Sequence, residues 1–218
     1  EITQALSARR GPLIVEQTLS CLTGMDLTVE SMQRRNPCMP AQFIDNFDVA
    51  VKHMPPNLSA LANAIDASKD SIQWNRDQGQ FYAEDADVGD SYRNNNMNCI
   101  LVGKENSCFY SERLFMGLFF LQPYTLYRDH NHEPSEMYFN LTGPNGFRFN
   151  VGEWTDYPAN SIIWNTPWLP HATRVYDIPF LSVVVWIDNI EALCRVVNAD
   201  DWSELESELL TDFAGKLA

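Results

Sequence analysis

The chain has 218 residues, 45% of them hydrophobic, enough to bury one sizeable core or one core with a smaller helical appendage. Fifteen basic residues against 29 acidic ones give a formal charge of −14, a field that repels phosphate backbones and anionic lipid surfaces and so argues against nucleic-acid and membrane partners. Twelve prolines, ten glycines and six tryptophans exclude a collagenous or disordered chain.

Glu1-Ile2-Thr3 shows no basic segment leading into an apolar one, and the apolar run Leu114–Leu121 is far shorter than the roughly 20 residues of a membrane span, so the cytoplasm is the expected compartment. The spacing of Leu13, Ile14, Gln17, Leu19 and Leu22 predicts a helix, continued from Met25 to Met32 beyond Gly24. Asn36-Pro37-Cys38-Met39-Pro40 interrupts it. Ala41–Val51 is again amphipathic, Met54-Pro55-Pro56-Asn57 punctuates, and Ser59–Ala67 reads as another short helix. Residues 1–94 are thus expected to form a helical N-terminal extension, in which Glu84-Asp85-Ala86-Asp87 is a solvated loop.

From about Phe81 the composition turns to β-branched and aromatic runs. Strands are expected over Cys99–Val102, Phe109-Tyr110, Phe115–Leu121, Glu136–Leu141, Arg148–Val151, Ser161–Trp164, Ala172–Tyr176 and Phe180–Trp186. Turn residues separate them, among them Thr142-Gly143-Pro144-Asn145-Gly146 and Tyr157-Pro158-Ala159-Asn160. Short strands at such regular spacing predict a barrel or sandwich over residues 95–190. Residues 191–218 return to helix. There Ser203 is the expected cap, Glu206 completes a capping box, and Leu205, Leu209, Leu210 and Phe213 form the apolar stripe that packs on the barrel. The five cysteines (Cys21, Cys38, Cys99, Cys108, Cys194) are odd in number and lack CxxC spacing, so reduced thiols are expected rather than a disulfide framework or a zinc knuckle.

Three of the four histidines fall inside the β region. In an extended strand His130 and His132 project from one face, and two imidazoles so placed can occupy neighbouring positions on one ion. Glu136 keeps that parity across Pro134 and adds an oxygen ligand; His171, after Trp168-Leu169-Pro170, arrives from a neighbouring strand and closes the set. Three imidazoles and a carboxylate suit one divalent transition metal ion (Fe, Mn, Co, Ni or Zn) with coordination positions left for substrate.

The string His130-x-His132-x3-Glu136-x6-Gly143 resembles the first cupin motif, and Pro158 through His171 resembles a stretched second one, with Asn160 in a glycine position. Tyr124 replaces the glycine usually found before the first histidine. The fold so implied is mainly β: a cupin (double-stranded β-helix, jelly-roll) barrel with an α-helical N-terminal extension and a C-terminal helix. The wider segment, from Gly117-Leu118-Phe119-Phe120-Leu121-Gln122-Pro123 through the metal motif to Pro170-His171-Ala172-Thr173-Arg174 and Val185-Trp186, resembles the cupin-type dimethylsulfoniopropionate (DMSP) lyases, particularly the DddL-like subgroup with a helical N-terminal extension.

That resemblance implies a carbon–sulfur lyase that cleaves the small zwitterion DMSP to dimethyl sulfide and acrylate by β-elimination. It places the catalytic tyrosine at Tyr138 and the substrate-facing tryptophan at Trp186. Tyr138 shares the parity of His130, His132 and Glu136, so its phenol faces the same cavity. Tyr127, three residues before His130, becomes a second substrate-binding tyrosine if a bulge corrects its parity. Trp164 and Trp168 flank the second motif as covers of the barrel mouth, and Tyr82 and Tyr110 carry no assignment. The resemblance also allows pairing of two chains into a homodimer. The same ligand set would serve a cupin dioxygenase using Fe and O2, or a cupin that binds a small ligand without turning it over.

Overall fold

Helices run up to Asn95 and strands from Asn96 to Val196 in the computed structural model, which describes residues 1–33 and 36–217, the side chains of Phe213 and Leu217 excepted. The helices are α1 (Ile2–Ser7), α2 (Leu13–Leu22), α3 (Ile44–His53), α4 (Ser59–Ser68), α5 (Asp90–Asn95) and, after the strands, α6 (Trp202–Leu217). Between α5 and α6 come β1 (Asn96–Gly103), β2 (Phe109–Tyr110), β3 (Leu114–Leu121), β4 (Leu126–Asn131), β5 (Ser135–Asn140), β6 (Asn145–Phe149), β7 (Thr155–Tyr157), β8 (Ile162–Asn165), β9 (His171–Arg174), β10 (Phe180–Ile187) and β11 (Arg195–Val196). They form a six-stranded sheet ordered β2-β1-β3-β10-β5-β8 and a five-stranded sheet ordered β11-β4-β9-β6-β7, the two walls of a jelly-roll barrel.

The central strands β3 and β10 of the six-stranded sheet are buried almost throughout, which is why they read as near-continuous apolar runs. On β10, Leu181, Val183, Val185 and Ile187 pack outward with Leu6, Ile14, Val15, Leu19, Phe43 and Phe47 of the helical region. Alternate residues Val184 and Trp186 face inward with Tyr138 and Phe119. Phe43 and Phe47 are fully buried against Phe120, each such side chain contributing about 1.5–3 kcal/mol by leaving water. The helices therefore share one core with the outer face of the barrel wall. Gly117 on β3 permits a close approach of β1: an added Cβ would lie 2.2 Å from the Cys99 carbonyl oxygen, beside the register slip between Ile100 and Val102.

Several local expectations are corrected. Residues 25–32 form no helix; Gly24 turns with a φ of +86°, and the Asp26 carboxylate accepts the Thr28 amide at 3.1 Å and its hydroxyl at 2.7 Å, a local turn that competes with helix. Leu13 on α2 is 54% exposed, outside the buried stripe. Asn145 and Gly146, expected in a turn, begin β6. Helix α6 starts at Trp202, so Ser203 lies inside its first turn rather than capping it. Glu206 pairs with Arg128 instead of closing a capping box, and Leu210 is 63% exposed. Leu205 and Leu209 do pack as expected, joined by Trp202 and Leu126; the Phe213 side chain lies outside the described residues. Both glycine positions of the cupin motifs keep a left-handed backbone: Asn160 at φ of +74°, which asparagine tolerates, and Tyr124 at +60°, where nothing in the backbone explains the tyrosine.

A buried ion-pair network fastens α6 to the five-stranded sheet. Arg148 on β6 donates through Nε and Nη2 to both oxygens of Asp129, and through Nη1 and Nη2 to Asp201, while Trp202 Nε1 donates to Asp129 Oδ2 at 2.8 Å. This clamp fixes β4, the strand that carries the first histidine. The described cysteines are all free thiols, and no helix among the described residues is long and apolar enough to cross a membrane.

A candidate metal centre in an aromatic cavity

The barrel topology brings five strands to one point. His130 on β4 is the direct cross-strand partner of His171 on β9. Glu136 on β5 is paired with Trp186 on β10 and with Asn165 on β8. His132 follows β4, its carbonyl accepting the Trp168 amide at 2.8 Å. Ligand atoms of His130, His132 and His171 lie within 4.8 Å of one another, and all three side chains are buried.

Backbone carbonyls fix the tautomer of every ring. His130 Nδ1 faces the Arg128 carbonyl at 2.8 Å, His132 Nδ1 faces that of Pro134 at 3.0 Å, and His171 Nδ1 faces that of Leu169 at 2.8 Å. A carbonyl accepts only, so each Nδ1 carries a proton and Nε2 is the nitrogen left to meet an ion. His171 Nε2 is buried with no hydrogen-bond partner. Burial, with the like charges that His171 and His132 would add, holds His130 well below its ordinary pKa and so keeps it in the neutral form a metal requires.

Glu136 adjoins two of the three histidines. Its Oε2 stands 3.3 Å from His132 Nε2 and 3.1 Å from His171 Nε2. Atoms bound to one ion at about 2.1 Å are separated by about 3.0–3.4 Å, so the spacing fits shared coordination. Trp186 Nε1 donates to Oε1 at 2.7 Å and Asn165 Nδ2 to Oε2 at 2.7 Å, fixing the carboxyl plane. Burial alone would raise the Glu136 pKa; the facing His132 and His171 outweigh it and keep the group well below the usual carboxylate range. The donor set, three imidazole nitrogens and one anionic oxygen, fits a borderline divalent transition metal ion.

Beside this cluster lies a cavity of about 50 Å³, lined by Glu136, Tyr138, Trp186, Tyr127, Tyr92 and Phe119 among others. Tyr138 sits on the cavity wall, where burial first and the Glu136 charge second push its phenol well above the ordinary tyrosine value. The β4–β9 pairing slips between Tyr127 and His130, and this irregularity turns Tyr127 inward despite its sequence parity. Tyr127 stacks between Tyr92 (centroids 4.1 Å apart) and His130 (4.2 Å), and its hydroxyl accepts from Tyr82 at 2.6 Å. Trp186 lies over His132 at 4.5 Å and is tethered to Glu136, a second contact that strand parity alone did not disclose. Trp164 and Trp168 are 39% and 41% exposed and stay outside the cavity wall.

Tyr92, Asn165, Phe81, Phe115 and Asn98 are site residues not expected from the sequence, and Tyr82, which carried no assignment, hydrogen-bonds Tyr127 behind the cavity wall. Asn165, a polar residue ending an apolar strand, gave a local signal; Tyr82 and Tyr92 arrive from the helical region and gave none.

A sequence model of the dimethylsulfoniopropionate lyase family matches residues 14–182. The DMSP lyase DddQ of Ruegeria pomeroyi is 29% identical over 101 residues, an alignment that covers 43% of this chain and about half (46%) of the relative's length. The crystal structure of that protein superposes with a TM-score of 0.61 at 21% identity, covering 89% of this chain and 95% of the other. A chain from the crystal structures of the DMSP lyases RdDddP and RnDddQII gives a TM-score of 0.64 at 19% identity, covering 89% and 98%. Both likenesses extend through the N-terminal helices as well as the barrel. The DddL-like placement rests on the sequence resemblance alone.

Proposed function

The chain belongs to the dimethylsulfoniopropionate lyase family, and we propose that it is a carbon–sulfur lyase that cleaves DMSP to dimethyl sulfide and acrylate in the aromatic cavity beside the histidine cluster. One observation carries the reading: three buried imidazoles, each with Nδ1 committed to a backbone carbonyl, bring their ligand nitrogens within 4.8 Å of one another, with Glu136 beside them, at one end of a small, largely apolar chamber. His130, His132, Glu136 and His171 would hold one divalent transition metal ion, which supplies Lewis acidity toward the substrate carboxylate.

DMSP carries a carboxylate at one end and a sulfonium at the other, with the acidic Cα–H between them. Its carboxylate end belongs at the histidine cluster, because most of the remaining wall is aromatic and suits the onium. Tyr138 is the base that takes the α proton as the Cβ–S bond breaks and dimethyl sulfide leaves. Base action requires the phenol to lose a proton that burial and Glu136 now hold on, so it depends on a cation close by. Trp186 and Tyr127 offer aromatic faces to the sulfonium, an attraction worth about 0.5–2 kcal/mol per ring. Tyr127, braced by Tyr82 and Tyr92, also keeps the chamber narrow and dry.

The test is release of dimethyl sulfide into the headspace from metal-loaded protein under anaerobic conditions. Turnover without oxygen is expected, and it separates a lyase from an oxygenase built on the same ligands. Tyr138→Phe should lower the rate about 10²- to 10⁴-fold while leaving metal content unchanged. Metal-loaded protein that yields no dimethyl sulfide refutes the lyase; an unimpaired Tyr138→Phe variant refutes the base.

A further inference from the structure

Thr166-Pro167-Trp168-Leu169 closes a turn between β8 and β9, the Leu169 amide donating to the Thr166 carbonyl at 3.0 Å. Trp168, its third residue, has a φ of +63°. Proline at the second position and a left-handed third residue define a type II turn, whose third position glycine normally fills. Of Tyr124, Val151 and Trp168, the described non-glycine residues other than Asn and Asp with such an angle, Trp168 is the one within three residues of a candidate ligand. Pro170 disfavours helical backbone at Leu169, so the turn cannot relax by winding into a helix.

Two adjacent residues of this turn touch two candidate ligands. The Trp168 amide donates to the His132 carbonyl at 2.8 Å, and the Leu169 carbonyl accepts from His171 Nδ1 at 2.8 Å. The placing of both rings therefore depends on a backbone angle that a bulky residue resists. What holds that angle lies on the outside of the barrel: the exposed Trp168 indole sits under the Arg195 guanidinium, whose Cζ stands 4.8 Å from the ring centroid. Arg195 on β11 is paired with Asn131, the residue between His130 and His132, and so projects to the face away from the His130 ring. The stack thus ties the turn to the back of the strand that carries His130.

We infer that Trp168 and Arg195 are positioning residues of the metal centre: their stack holds closed a turn that would otherwise open, and so presets His132 and His171 before an ion arrives. The inference rests on the metal reading of the histidine cluster and extends it to a pair outside the cavity. A site whose competent form is already populated binds with its full affinity, whereas a turn free to open lowers the apparent affinity by the fraction that stays closed. Tryptophan is a poor residue for a left-handed angle, but among aromatic side chains it offers the best face to a cation, which accounts for its presence where glycine would fit the backbone.

Cobalt(II) is the probe, its affinity for the full chain measured by chelator competition. Trp168→Ala loses the stack and still resists the left-handed angle, and should weaken cobalt binding about tenfold. Trp168→Gly loses the same stack but accepts the angle freely, and should bind within about threefold of wild type. Packing alone predicts the reverse order, because glycine removes more side chain and loosens the turn. Equal or greater weakening in Trp168→Gly overturns the inference, as does unaltered affinity in Trp168→Ala. If Trp168→Ala fails to fold, Arg195→Gln serves instead: it should weaken cobalt about threefold, while Arg195→Lys, which keeps a cation over the ring, holds the wild-type value. An unimpaired Arg195→Gln overturns the inference. Wild type that binds no cobalt sinks the metal reading and this assignment together, whereas a wild type that binds cobalt no better than Trp168→Ala sinks the assignment alone.

Discussion

Asp129→Asn probes the clamp that holds the first ligand strand in place. Three donors converge on this fully buried carboxylate: Arg148 Nε at 2.9 Å on Oδ1, with Arg148 Nη2 at 2.5 Å and Trp202 Nε1 at 2.8 Å on Oδ2. Asparagine is nearly isosteric but keeps one acceptor and turns the other into a donor aimed at an existing N–H. Arg148, itself 2% exposed, is left with Asp201, whose side chain is 42% exposed. Removing one partner of a buried pair costs about 3–5 kcal/mol, and the surviving Asp201 contact places this case near 3 kcal/mol. In a chain of this size each kcal/mol shifts Tm by about 2–4 °C, so a fall of about 6–12 °C is expected. Thermal denaturation followed by circular dichroism should be run with metal loaded and with metal removed, because a bound ion stabilises the folded state by mass action. A fall below about 3 °C in both conditions would show that the network is not holding α6 to β4 as argued.

Trp186→Phe keeps a ring beside His132 but removes the indole N–H that binds Glu136 Oε1; metal affinity measured by chelator competition should fall about 10- to 100-fold, and an unchanged affinity would contradict the orienting role. Asp201→Asn tests the exposed half of the clamp by acid denaturation. The Arg148 hydrogen bond, with its charge, lowers the Asp201 pKa in the folded state, so the stabilisation is complete above the unfolded value near pH ~4 and disappears as pH drops through the lowered one. Wild type should therefore lose stability more steeply than Asp201→Asn between about pH 4 and pH 2, by a modest margin given solvent screening; parallel curves would count against the pairing.

What could be read from the sequence divides along the range of the interactions. Strand alternation placed Tyr138 on the inward face because a period of two is a property of the backbone itself, whereas Trp186 was assigned through the family resemblance. The β4 irregularity that turns Tyr127 inward depends on how β9 pairs with it, information absent from residues 127–130 taken alone. At the termini of helices, local rules failed where tertiary partners competed: Glu206 matches a capping box in spacing, yet Arg128, 78 residues away, offers it a charged bidentate contact that a first-turn amide cannot equal. The helical region shows the same limit from the other side. Its helices could be drawn from periodicity, but their contribution to the site could not, because Tyr92 lines the cavity and Tyr82 hydrogen-bonds Tyr127 from segments whose own sequence gives no reason to point there. On the lyase reading the site is therefore assembled from both halves of the chain: the barrel supplies Glu136 and the histidines, and the region before it supplies the rings of Phe81 and Tyr92 in the cavity wall. Selectivity and metal binding should consequently be separable by mutation, ring substitutions at Tyr92 or Phe81 altering which acids bind while leaving the ligand cluster, built wholly from β4, β5, β9 and the turn after β4, with its metal.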